Sequence, residues 1–272
     1  MSDSNSPLAE RFARLRAKGE KALVLFVTAG DPPLEELPAI LETLAEAGAD
    51  VIEVGMPFSD PIADGPTIQA SSQRALDRGA TPSKVLEALG AVQMDVPRVL
   101  MGYYNPVLRR GLDAFASAAA AAGVSGTIIS DLTPEEAQPW RDASLAHGLD
   151  TIFLVAPTST EARLERACSM ATGFVYAVSR TGVTGAGNQV PADVGSLVRR
   201  VRAHTETPVC VGFGISTPEH VRAVCADADG AVVGSWLVDL LAQHWQGGAG
   251  REKVRSAVAA LKAATRGVAL PD

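Results

Sequence analysis

Short apolar runs and amphipathic stretches alternate along almost the whole 272-residue chain. Runs rich in Val, Ile and Leu stand at 23–27, 51–55, 98–101, 126–130, 151–155, 174–178, 208–211 and 230–233. Each has the length of a strand and is too short for an ordinary helix. Between them apolar residues return at helical spacing. Leu37, Leu41 and Leu44 precede Gly48, an alanine-rich run after Asp113 stops at Gly123, and a segment after Glu135 stops at Gly148. A glycine at each end suits a helix C-terminus, where a left-handed residue lets the last carbonyls find donors. Ser6 followed by Pro7 reads as a helix start with Leu8, Phe12 and Leu15 on one face, so these first turns are expected to lie against the body of the protein. A last helical segment falls near 254–264. Strands that alternate with helices in this way predict a parallel sheet.

Closure of that sheet gives a single (β/α)8 TIM barrel, a fold that takes about 250 residues. Residues 1–272 then form one domain, with 1–20 as an N-terminal helical extension packed on the barrel. The rival is an open doubly wound sheet. No G-x-G-x-x-G follows the first strand, and no linker rich in proline and glycine divides the chain. A barrel places its active site at the C-terminal ends of the strands, where Thr28, residues 55–64, Tyr103, Tyr176 and residues 212–214 fall.

Charge and composition narrow the field. A net charge of −7 argues against a broad basic face for nucleic acid or anionic membrane, and the apolar fraction of 47% is ample for a core. The opening M-S-D-S-N-S-P lacks the charged and apolar regions of a signal peptide, and no stretch approaches the roughly 18 apolar residues of a membrane span, so a cytoplasmic protein is expected. Cys168, Cys210 and Cys225 show no C-x-x-C spacing and read as small buried residues. His147, His204, His220 and His244 fall in helices or away from the barrel mouth, which gives no support to a histidine metal site or a Ser/His/Asp triad. The lysines also avoid the C-terminal strand ends, which disfavours a Schiff-base aldolase.

The acids carry the chemistry that remains. If 51–55 is extended, Ile52 and Val54 share one face while Val51, Glu53 and Gly55 share the other, so Glu53 points away from the helices. A lone buried carboxylate costs several kcal/mol unless it is paired, solvated or neutralised, which marks Glu53 for chemistry or for pairing with an arginine. Asp60 and Asp64 follow in the next loop, within S-D-P and A-D-G, and read either as functional acids or as turn residues. Glycines gather at the last strand ends: S-R-T-G-V-T-G-A-G at 179–187, G-F-G at 212–214 and G-S at 234–235. They fit ordinary turns, or a phosphate site in which Ser235 opens a short helix after strand eight. Residues 179–191 make a long connection, either a lid over the site or an insertion without a role. Phe26, Tyr103, Tyr176 and Phe213 would line an apolar pocket, and the sum is metal-free proton transfer on a phosphorylated substrate.

The chain resembles the tryptophan synthase α subunit family through E-V-G-M-P-F-S-D-P-I-A-D-G-P-T-I-Q, F-V-T-A-G-D-P, M-G-Y-Y-N-P, S-R-T-G-V-T-G, G-F-G-I-S and V-V-G-S, in order across 23–239. That resemblance implies a (β/α)8 barrel that cleaves indole-3-glycerol phosphate to indole and glyceraldehyde 3-phosphate by a retro-aldol reaction. It implies Glu53 as general acid/base and Asp64 as the acceptor of the indole N–H. Backbone groups of Gly185, Gly214, Gly234 and Ser235 would hold the phosphate. Phe26, Leu100, Tyr103, Tyr176 and Phe213 would form the pocket, and Thr184 would be the lid residue that meets Asp64. It further implies an α2β2 heterotetramer with a pyridoxal-phosphate-dependent β subunit that receives indole through a channel. Asp60, Pro61 and Asn105 would lie at that interface, and no cofactor would sit in this chain. A stand-alone indole-releasing lyase and a non-catalytic phosphate-binding barrel that activates a partner are the alternatives.

Overall fold

The computed structural model describes residues 6–178, 194–212 and 214–267. Its strands are β1 (Ala22–Thr28), β2 (Val51–Gly55), β3 (Arg98–Gly102), β4 (Gly126–Ile129), β5 (Asp150–Val155), β6 (Val175–Val178), β7 (Val209–Gly212) and β8 (Gly230–Val233). Every run read as a strand from the sequence is one, with no end shifted by more than one residue. Neighbours pair in parallel in sequence order, and β8 returns to β1 to close the barrel.

Because side chains alternate along each strand, the barrel sorts its apolar residues into two cores. Leu23, Leu25, Ile52, Val54 and Leu100 face outward beneath the helices, whereas Val24, Val51, Val99, Ile128 and Ile152 fill the interior. The register pairs Phe26 with Glu53 and Glu53 with Val99, which puts these three side chains on the inward face of three successive strands.

The helices are α1 (Pro7–Ala17), α2 (Leu37–Glu46), α3 (Pro66–Asp77), α4 (Pro82–Gly90), α5 (Tyr104–Arg110), α6 (Leu112–Ala121), α7 (Gln138–Ala146), α8 (Glu161–Met170), α9 (Val194–Arg202), α10 (Pro218–Cys225), α11 (Ser235–His244) and α12 (Arg251–Ala263). Gly48, Gly123 and Gly148 follow α2, α6 and α7 with positive φ, as their positions in the sequence suggest.

Helix α1 does more than rest on the body. Ser6 caps it, its hydroxyl accepting from the Ala9 N–H at 3.1 Å, and Pro7 opens its first turn. Its buried face of Leu8, Phe12 and Leu15 belongs to the interior core, so the helix plugs the N-terminal end of the barrel. Two glycines make the room. A Cβ at Gly173 would lie 2.8 Å from the Leu8 methyl, and one at Gly126 would lie 3.1 Å from it. Each of the three apolar side chains contributes about 1.5–3 kcal/mol on burial. With the lower end sealed, the open end of the barrel is the C-terminal one.

Candidate active site

At that open end Glu53 stands in the wall of a cavity of about 420 Å³, together with Phe26, Met101, Leu154, Tyr176 and Asp64. It is 1% exposed, and among the described residues neither carboxyl oxygen has a hydrogen-bond partner. Burial, and secondly the nearby charge of Asp64, push its pKa up to about 8. A buried carboxyl without a hydrogen-bond partner favours its neutral form, because none of the described side chains offsets its ionisation. Near neutral pH Glu53 is therefore a proton donor.

Asp64 sits in the loop between β2 and α3, in a different environment. The Tyr103 hydroxyl donates to its Oδ2 at 3.0 Å and accepts from the Ala63 N–H at 3.0 Å. Burial raises the Asp64 pKa, and the phenol hydrogen bond opposes the rise. The start of α3 lies two residues on, where the helix dipole also favours negative charge. Tyr103 is itself fixed by stacking on Phe58, with ring centroids 4.9 Å apart and planes at 20°. Burial raises both carboxyls, but only Asp64 has a donor that favours its ionised form, and two acids in unlike environments beside one cavity suit acid–base work.

The anion-binding features lie in the same cavity. Gly214, Gly234 and Ser235 line it, and Gly214 holds φ +73°, a left-handed conformation natural to glycine. Ser235 is the first residue of α11, and among the described residues no side chain caps that helix. Its first N–H groups are therefore free to meet an anion, with the helix dipole adding to the attraction.

The other expected positions divide. Phe26 and Tyr176 line the cavity. Leu100 does not: it pairs in register with Val54 and packs in the outer core under the helices, and Met101 takes the inward place. Tyr103, expected in the pocket wall, stands behind Asp64 instead. Thr184, Gly185 and Phe213 lie outside the described residues. Asp60 and Asn105 are exposed and Pro61 is half-buried, near Ile62 at 82% and Leu108 at 52% exposure. Cavity residues that the sequence reading missed include Met101, Leu154, Ile68, Ile215 and Trp236. Alternation within the strands carried a signal for Met101 and Leu154, since each lies two residues beyond an inward Val99 or Ile152.

His147 pairs with Asp113 and His204 with Glu161, and none of the four histidines lines the cavity. Among the described residues no three or more His, Cys, Asp or Glu side chains form a metal-binding group, and no helix is long and apolar enough to cross a membrane.

A neutral buried acid, a second carboxyl and an uncapped helix N-terminus at the mouth of a parallel barrel define a TIM-barrel enzyme of the acid–base class. A family model described as tryptophan synthase alpha chain matches residues 12–266, and a relative of that name from Geobacter sulfurreducens is 51% identical over 261 residues, 95% of this chain and 98% of that one. The chain belongs to the tryptophan synthase alpha chain family. Among solved structures, tryptophan synthase from Mycobacterium tuberculosis superposes with a TM-score of 0.88 at 42% identity, covering 96% of this chain and 98% of that one. The alpha chain from Legionella pneumophila does so with 0.87 at 32% identity, covering 96% and 97%. The family is the lyase component of tryptophan biosynthesis: it cleaves indole-3-glycerol phosphate to indole and glyceraldehyde 3-phosphate, and it partners with a β subunit that holds the pyridoxal phosphate.

Proposed function

We propose that Glu53 is the acid/base of this carbon–carbon cleavage and that Asp64 is its electrostatic partner at the ring nitrogen. The observation that carries the assignment is the unpartnered Glu53 carboxyl, 1% exposed, in the wall of the cavity. Glu53 in its acid form gives a proton to indole C3, which turns the ring into an electron sink with positive charge at nitrogen. The Asp64 carboxylate accepts the N–H hydrogen bond and stabilises that charge. The Glu53 carboxylate then removes the proton from the glycerol hydroxyl, the carbon–carbon bond breaks, and its electrons restore the indole. Aldehyde and indole leave, and Glu53 is again an acid. One well-placed acid/base contributes roughly 10²–10⁴ in rate.

The phosphate is assigned to backbone groups of Gly214, Gly234 and Ser235 at the start of α11, with Phe26 and Tyr176 against the ring. The further assignments of Thr184, Gly185 and Phe213 rest on motif likeness. We read the chain as one barrel domain acting in the cytoplasm within an α2β2 assembly. Asp60, Pro61 and Asn105 lie on the β-subunit face, a reading supported by their position beside exposed Ile62 and Leu108. The test is indole release from indole-3-glycerol phosphate with and without a β subunit. Release that rises with the partner and disappears in Glu53→Gln is expected; parental turnover in that variant overturns the assignment.

A further inference from the structure

Asp31 lies just beyond β1, is 4% exposed, and gathers donors from a single helix. Its carboxylate accepts from Ser71 Oγ at 2.8 Å, from Arg74 Nε at 3.1 Å and Nη2 at 2.5 Å, and from Arg78 Nη1 at 2.7 Å. These donors are spaced i, i+3 and i+7, so they come from one face of α3 and its C-terminal cap. Arg78 also donates to the Gly30 carbonyl at 3.0 Å. The two arginines hold the Asp31 carboxyl below its ordinary range against the effect of burial.

The other end of α3 reaches the reaction site. Pro66, Thr67 and Ile68 in its first turn line the cavity. Gln69 Nε2 donates to the Asp64 carbonyl at 2.8 Å and to the Pro61 carbonyl at 3.4 Å, so the helix grips the loop that carries the second acid. β1, to which Asp31 is attached, also carries Phe26, the register partner of Glu53. A short mechanical chain therefore runs from Glu53 through β1, Asp31 and α3 to Asp64.

We propose that Asp31 is a positioning residue for the cleavage: by fastening α3 to the end of β1 it sets where Asp64 stands relative to Glu53. The inference rests on the role of Asp64 proposed above. An amide at position 31 has one acceptor oxygen where the carboxylate serves three side chains, so Asp31→Asn loosens the helix without removing any group from the cavity. A displacement on the order of 1 Å at a reacting group costs up to about 10²-fold in rate.

The test is a double-mutant cycle on indole release by the full-length chain with its β subunit, using Asp31→Asn, Asp64→Asn and the pair. Asp31→Asn is expected to lower kcat about tenfold with KM within about twofold. In the Asp64→Asn background it should cost less than about twofold, because nothing is left to position. A purely structural role removes the same fraction of active enzyme in either background, so losses that multiply in the pair overturn the proposal. Ser71→Ala, which takes away one donor and strands no guanidinium, serves as a milder variant. It should lose about two- to threefold in kcat, again only when Asp64 is present. Parental kcat in Asp64→Asn alone overturns both the Asp64 assignment and the clamp, whereas an impaired Asp64→Asn with multiplying losses overturns the clamp alone.

Discussion

Replacing Glu53 by glutamine is expected to abolish indole formation and, at the same time, to make the chain steadily more stable than the parent as pH rises. Burial and Asp64 lift the Glu53 carboxyl from 4.5 to about 8. At about 1.4 kcal/mol per unit this separation amounts to about 5 kcal/mol in favour of the neutral acid. An acid with a raised folded-state pKa binds its proton more tightly in the folded chain. Its stabilising effect is complete below the unfolded value of 4.5 and is lost as pH rises through the folded value of about 8. Relative to acid conditions the parent therefore loses about 1 kcal/mol at pH 5, about 3 at pH 7 and about 5 at pH 9. Glutamine has no proton to give up. The unpaired amide adds a constant offset between the two proteins but no slope. Urea unfolding of parent and variant at intervals from pH 5 to pH 9 reads the slope directly, and the stability difference should grow by about 4 kcal/mol across that range. A difference that stays constant to within about 1 kcal/mol would refute the buried neutral acid, and with it the claim that Glu53 begins the reaction as a proton donor.

The same titration should appear in the kinetics, where parental kcat/KM falls as pH rises through about 8 because Glu53 loses its proton. Asp64→Asn should lower kcat by about 10²–10³ and move that alkaline limb to lower pH, since one of the two causes of the Glu53 shift is gone; an unmoved limb would show that the two acids do not sense each other. For Gly212→Ala, a Cβ would lie 2.5 Å from the Tyr176 hydroxyl oxygen, so the ring has to shift; because it lines the cavity, KM for the substrate should rise about tenfold. A parental KM there would mean that the ring yields in another direction. Phe12→Ala should lower unfolding free energy by about 3–5 kcal/mol while leaving kcat near the parental value, measured by denaturant unfolding beside the indole assay.

The barrel was legible because its evidence is local. Eight apolar runs of strand length, separated by helices that stop at Gly48, Gly123 and Gly148, need no knowledge of distant contacts. The inward direction of Glu53 follows from the alternation of side chains along β2. Leu100 shows where motif matching departs from geometry: Val99 pairs with Glu53, so the next inward residue on β3 is Met101, and the register alone would have shown it. Ile68 and Trp236 were hidden because they reach the cavity from the first turns of α3 and α11, and the angle at which a helix leaves its loop is set by packing elsewhere. The Asp31 clamp was equally hidden. Its members lie 40 to 47 residues apart, and the F-V-T-A-G-D-P motif looks like an ordinary turn until α3 is laid across it. Tyr103 was recognised as part of the site, but a phenol beside an acid can be a wall or a brace, and only the contact with Asp64 separates the two.

The α1 plug has a consequence for how the chain is made. Leu8, Phe12 and Leu15 leave the ribosome well before the residues they pack on, since Leu8 docks beside Gly126 and Gly173, and Phe12 against Phe174. At synthesis rates of about 5–20 residues per second, roughly 8–30 s pass before the last of those partners exists. For that interval an amphipathic helix stands without its socket. A stall in translation anywhere before β6 thus leaves its apolar face open to the solvent and to other chains.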